Sequence, residues 1–241
     1  AEDLNLAPVL ADWVWEDRQR SNAPATTDPF RKVDSTHVYS LLDKEVERLK
    51  EGPGAVDLLG LRSAVPFEGY RLYPPNDRFC EAAHAQGGYV DAEKIVWRDI
   101  AALVALGHID FAGIVHNHFN RHDVELETDS WGMIPKDHPE FNTVAGMPLW
   151  SMEVYYRFLN CGFRLPVSAG SASGVKASPL GYNRVYVKTP KPFSYDTWFE
   201  ALKQGRSFAT NGPMLFLKVN GAEVGATLSL GERRPVSVHV E

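Results

Sequence analysis

Cysteine is scarce in this chain. Cys80 and Cys161 are its only two in 241 residues, they lie in separate segments, and no CxxC unit occurs. That excludes a disulfide framework, and both are expected as buried thiols behaving as small hydrophobes. Lys/Arg runs are missing too. With 25 basic against 31 acidic residues the formal net charge is -6, so nucleic acid is not an expected partner. The longest apolar stretches, "DIAALVALG" and "AVDLLGL", fall well short of the roughly 20 residues a spanning helix needs, so no membrane insertion is expected. No internal repeat, low-complexity tract or signal-peptide pattern is visible. Compartment and oligomeric state stay open. The abrupt opening "AEDLNLAPVL" reads as a chain already inside a fold, with something removed upstream.

What is present is enough apolar residue, 44% of the chain, for one domain, or one domain plus an appendage. "HVYSLLDKEVERLKEG" carries Val38, Leu41, Leu42, Val46 and Leu49 at helical spacing, which predicts a helix capped by Asp34, Ser35 or Thr36 and stopped at "GPG". "AVDLLGL", "YVDAE", "IDFAGIV", "RLPVSAGS" and "RVYVK" read as strands. "DRFCEAAHAQ" (capped by Asn76), "RDIAALVALG", "WSMEVYYRFLNCG" and "SYDTWFEALKQG" read as helices. Strands alternating with helices predict a mainly parallel α/β sheet or barrel over residues 1–210. From 211 to 241, the Asn211–Gly212 and Asn220–Gly221 pairs and the alternating "PVSVHVE" predict a β-rich tail, the start of a sandwich.

The chemistry concentrates at "VHNHFNRHD", residues 115–123. In parallel α/β folds, ligands gather where strands end. "IDFAGIV" would deliver His116 and His118 there, pointing the same way on extended backbone. His122 and Asp123 would close the shell, and imidazole with carboxylate suits zinc, manganese or iron. The competing reading is a polar loop whose histidines bond its own backbone. A second candidate is "AAHAQGGYVDAEK". It brings His84, Asp91 and Glu93, with Lys94 beside them, as metal ligands or a general base on a bound water. Otherwise His84 packs beside Cys80, and Glu93 and Lys94 are solvated.

"SAGSASGVKASPLGYNR" is a small-residue loop whose backbone N–H groups could hold an anion. Lys176 does not follow GxxxxG, and no GxSxG elbow surrounds Ser171 or Ser173. Asn183 and Arg184 could orient a carbonyl or carboxylate, or Arg184 could pair with a structural acid. The Asn-Gly-Pro at 211–213 is explained by turn chemistry alone. Most tryptophans should be core, with Trp131 a candidate pocket wall.

The segments "LNCGFRLPVSAGSASG", "GYNRVYV", "FEALKQGRSFATNGPML" and "VNGAEVG" resemble the CehA/McbA family of metallohydrolases, which is similar to the PHP (polymerase and histidinol phosphatase) superfamily. The resemblance runs from about Ala1 to Gly225. It implies a PHP-like distorted (β/α) barrel, here lacking its first strand, that holds divalent zinc or manganese at strand ends. It also implies hydrolysis of an ester, carbamate or phosphoester bond in a small-molecule substrate. Three positions depart from it. No His-x-His precedes His116, Ala172 stands where an acidic residue is usual, and Ala55 stands where a histidine is expected. Glu45 or Glu47 would match an acidic ligand of an early strand, against the helix expected there.

Three readings follow. In a metal-dependent hydrolase, His116, His118, His122, Asp123, Asp91 and His84 would hold the ion. Glu93 would then accept the proton, and Arg184 or Asn183 would steady the oxyanion. In a catalytically degenerate relative, the same cleft would bind a small molecule or glycan. In the third, the chain is an incomplete piece whose missing strand supplies the rest of the site.

Overall fold

The computed structural model describes residues 4–16, 18–48, 52–69, 72–120, 123–127, 131–231 and 235–241. The first seven strands are β1 (Leu6–Ala7), β2 (Leu10–Trp15), β3 (Arg18–Ser21), β4 (Phe30–Lys32), β5 (Val38–Ser40), β6 (Asp43–Arg48) and β7 (Gly54–Leu59). Then come α1 (Asn76–His84), β8 (Tyr89–Asp91), α2 (Ile100–Ala105), β9 (Ala112–Val115), α3 (Gly146–Asn160) and β10 (Val167–Ala169). The chain continues with β11 (Arg184–Val187), α4 (Tyr195–Lys203), β12 (Ser207–Thr210), β13 (Leu217–Val219), β14 (Ala222–Glu223) and β15 (Val238–Val240).

The barrel expectation is overturned. The described strands form small separate sheets and do not close. The largest has the order β3-β2-β6-β7-β8, in which β2 and β6 are parallel while β6–β7 and β7–β8 are antiparallel. Asp91 at the end of β8 pairs in parallel with Phe111, next to β9, and β9 runs parallel to β10. The result is an open arc. β11 and β12 form an antiparallel pair, and β13–β15 an antiparallel sheet of their own in the tail.

The reason is local. Residues 38–48, expected as a helix, are two strands. The sequence "DKEVER" alternates strictly: Asp43, Glu45 and Glu47 on one side, Lys44, Val46 and Arg48 on the other. That is period two. With a strand in place of the helix, β6 pairs antiparallel with β7 and the βαβ alternation fails. The capping residues serve a turn instead, with Thr36 N–H donating to Asp34 Oδ1 at 2.7 Å and His37 Nδ1 lying 2.8 Å from Asp34 Oδ2. Asn76 opens α1 and accepts from Arg48 rather than capping the helix.

The other side of β6 is pinned by long cations. Lys44 Nζ donates to the Val65 carbonyl at 2.6 Å, and Arg48 Nη1 to that of Pro74 at 2.5 Å. The main core lies between this sheet and α1–α3, around Val46, Val56, Leu58, Phe79, Val90 and Leu103. A smaller core centres on Phe199, stacked on Tyr89 at 4.6 Å between ring centroids and beside Phe111. Helix α4 starts with a capping box between Ser194 and Thr197. Cys80 is buried, but Cys161, expected to be, is exposed. No helix among the described residues is long and apolar enough to cross a membrane.

Candidate functional site: a buried acid cage around Lys94

Because β6 and β8 both run antiparallel to β7, the arc places the C-terminal ends of β2, β6, β8, β9 and β10 on one side. Glu45 sits opposite Asp57, and Asp57 opposite Asp91. Directly paired residues share a sheet face, so three carboxyl groups line up across three strands, with Glu47 two residues further along β6. Like charges so placed repel, and burial adds to the effect. Burial, then Glu47 and Glu93, holds Glu45 well above the usual carboxylate range. Burial, then Glu45, Glu93 and Asp91, does the same to Asp57. Burial pushes Glu47 up to about 7, with Glu93 adding to it, and pushes Asp91 up to about 7. Asp57 Oδ1 is buried with no hydrogen-bond partner among the described residues.

The turn after β8 adds the charged pair. Glu93 has a φ of 53°, the left-handed region in which a non-glycine residue is strained. Its N–H donates to Asp91 Oδ1 at 3.0 Å. Gly113 on β9 permits this turn, since a Cβ there would lie 2.3 Å from the Glu93 carbonyl oxygen. The turn aims Lys94 inward, where it is 1% exposed. Its ammonium donates to Glu93 Oε1 and lies 5.0 Å from the Trp97 ring centroid, while Trp97 Nε1 donates to Glu93 Oε2 at 2.7 Å. Burial opposes the charge on Lys94, but Glu93, Glu47 and Glu45 outweigh it and hold the ammonium above its ordinary pKa.

His116 and His118 follow β9 and are both buried, with ring centroids 5.6 Å apart. Burial and then the Lys94 charge keep His116 far below the ordinary imidazole range and bring His118 down to about 2. Both are neutral at pH 7. The hydrogen bonds fix their tautomers. His118 Nδ1 faces the Glu125 carbonyl at 3.0 Å, which can only accept, so the proton is on Nδ1 and the lone pair on Nε2. His116 Nδ1 accepts from His118 N–H at 3.4 Å, and its Nε2 faces Ser151 Oγ at 3.3 Å. Lys176, paired with Glu125, adds a second ammonium whose charge reaches Glu45, Glu47 and His118.

The remaining expected site residues do not converge here. His84 is at the end of α1, where Nε2 meets Asp110 Oδ2 at 2.7 Å and Lys203 braces the other carboxylate oxygen at 3.1 Å. Asp123 is exposed and accepts from Val124 N–H at 2.7 Å. His122 lies outside the described residues. Arg184 stacks 5.7 Å from the Tyr186 ring centroid. Asn183 is buried, but as a clamp. Its Nδ2 lies 2.8, 3.0 and 3.4 Å from the carbonyl oxygens of His116, Phe119 and Gly170, tying together the ends of β9 and β10. Glu45 and Glu47, which the resemblance offered as an acidic ligand of an early strand against the expected helix, line the cage together with Asp57, which no expectation named. The period-two alternation of "DKEVER" is the signal that could have placed Glu45 and Glu47 on one face of a strand; Asp57 is on β7, outside it.

His116 has both ring nitrogens engaged, and the Lys94 ammonium already stands on Glu93. Among the described residues, no three His, Cys, Asp or Glu side chains are disposed to hold a metal ion. Comparison with protein-family models, with curated proteins and with solved structures finds no match.

Proposed function

We propose that the cage binds a small polyhydroxylated molecule, a sugar or short glycan, without a metal. The observation that carries this reading is that the carboxyl groups are buried among indoles. Trp13 Nε1 donates to Glu47 Oε2 at 3.1 Å, Trp97 holds Glu93, and Trp131 packs edge-on to His118 with centroids 5.0 Å apart. Carboxyls near pKa 7 both donate to and accept from hydroxyl groups at neutral pH. Half-buried Trp13 and Trp131 offer flat apolar faces to the C–H side of a sugar ring. A cluster of buried, shifted titratable groups at strand ends is also where function concentrates. Titrating EDTA-treated protein with a panel of mono- and oligosaccharides, followed by tryptophan fluorescence and calorimetry, should give saturable binding that Trp131→Ala and Glu47→Gln weaken. No saccharide binding by the folded protein at millimolar concentration would remove the proposal.

Metal-dependent hydrolysis of an ester, carbamate or phosphoester is the second reading. It is favoured by the excess of five carboxyl groups over the Lys94 and Lys176 ammoniums and by the resemblance to the CehA/McbA hydrolases. Metal analysis of protein purified without added metal, followed by a substrate panel, separates the two. Stoichiometric metal with metal-stimulated turnover would put hydrolysis first.

A further inference from the structure

The three-stranded tail sheet, in the order β14-β13-β15, has one apolar side. Its register sorts the side chains. Leu217 is paired with Val240, and Val219 with both Val238 and Ala222, so these five share a face. Lys218 is paired with His239 and with Glu223, so the ionisable residues share the other face, where His239 Nε2 lies 2.9 Å from Glu241 Oε1. On the apolar side Leu217, Val219, Ala222, Val224, Ala226 and Leu228 line a groove of about 260 Å3. Glu223, which also borders it, is matched by Lys188. On the same face as Leu217 and Val219, Val238 and Val240 stand 60 and 57% exposed. An apolar cavity of about 150 Å3 admits a benzene ring, so the groove has room for valine side chains.

We propose that this face packs against the same face of a second copy of the chain, joining two three-stranded sheets into a sandwich about a two-fold axis. The inference does not rest on the saccharide reading. Charge selects a second copy as the occupant. In a two-fold contact each patch meets itself, so a charge on it meets its own sign. The strands keep Lys218, Glu223 and His239 off this face, which removes that penalty and leaves nothing to attract a charged partner. Shape agrees, because the face carries both a groove and projecting valines, and each copy can fill the other. Area sets the strength. With Leu215 two residues before Leu217 and Val236 two before Val238, the exposed apolar surface comes to roughly 600 Å2 per copy, about 1,200 Å2 in total and the lower limit of specific interfaces. Such a contact associates at tens of micromolar, so the dilute chain is monomeric and its tail solvated.

The test is sedimentation velocity of the 241-residue chain from about 1 to about 500 μM, a range that brackets such an association. The expected result is a monomer at the low end and a dimer at the high end. Val240→Glu puts like charges into the contact and should weaken the dimer at least about tenfold. Val238→Lys, of opposite sign, should do the same, so that the loss follows the face and not one substitution. His239→Glu, on the other face, should leave dimerisation within about twofold of the wild type. Unchanged circular dichroism at the low concentration shows that each variant is folded. A wild type that stays monomeric at the high end overturns the proposal. So does a dimer that survives both valine substitutions, one that His239→Glu disrupts as strongly, or growth beyond two copies.

Discussion

Two regions of this chain depart from the usual partition of polar outside and apolar inside, in opposite directions. In the cage, Asp91, Lys94, His116 and His118 are buried and Glu45, Asp57 and Glu93 largely so. In the tail sheet, Phe216, Leu217, Val238 and Val240 are exposed, Val238 at 60%. The tail is held by backbone pairing: Phe216 and Glu241 exchange hydrogen bonds at 2.9 and 3.0 Å, and the Asn220–Gly221 turn sets the register of β13 against β14. The cage is held by side chains that compensate one another. Exposed apolar side chains cost a folded chain little each, whereas each buried charge costs several kcal/mol unless matched. Substitutions should therefore be tolerated in the tail and punished in the cage.

The largest test of that contrast is Lys94→Met. Breaking a buried ion pair from one side costs about 3–5 kcal/mol, so urea unfolding at pH 8 should show a loss of that order. The loss should shrink at pH 5, where the carboxyls take up protons. Next, Asn183→Ala leaves buried carbonyls without their donor and should cost about 1–3 kcal/mol. Faster amide exchange in residues 116–119 should accompany it.

A smaller effect separates the regions by pH. Asp43, Glu47 and Asp91 have folded values raised to about 7, and Glu45 and Asp57 are also raised. Between roughly pH 4 and 7 the native state holds more protons than the unfolded chain at these five groups, so their contribution to stability falls as pH rises. The depressed His116 and His118 act oppositely, favouring the native state as pH rises to about 6.5. Five groups outweigh two, and the melting temperature should be higher at pH 5 than at pH 8. The reverse order would mean that the cage is not proton-loaded. The smallest effect belongs to the tail: Val238→Thr should move the urea midpoint by less than about 0.5 kcal/mol equivalent.

Strands β7 to β10 and helices α1 to α4 were legible in the sequence, but the first six strands and the open sheet order were not. "IDFAGIV" does end in a strand followed by two buried histidines, while Glu93 lies in the turn after β8, where its N–H bonds the Asp91 carboxylate. The missed part has one cause. Val38, Leu41, Leu42 and Val46 imitate a helical stripe, and that pattern overrode the two-residue alternation of charges beside it. Binary patterning assumes that charged residues face water. β6 buries Asp43, Lys44, Glu47 and Arg48, so the assumption fails where the site is built. His84 and Asp123 carry the right chemistry on backbone that leads elsewhere, which no spacing rule distinguishes without the fold.

The two-faced character of β6 also protects the fold from error. A slip of one residue against β2 or β7 would turn Lys44 and Arg48 toward the acids and present Glu45 and Glu47 to the carbonyl oxygens of Val65 and Pro74. Each of those oxygens would then meet an anion instead of a cation. Misaligned pairings are thus rejected by electrostatics as well as by packing, and a strand that looks costly to bury acts as a proofreading device during assembly.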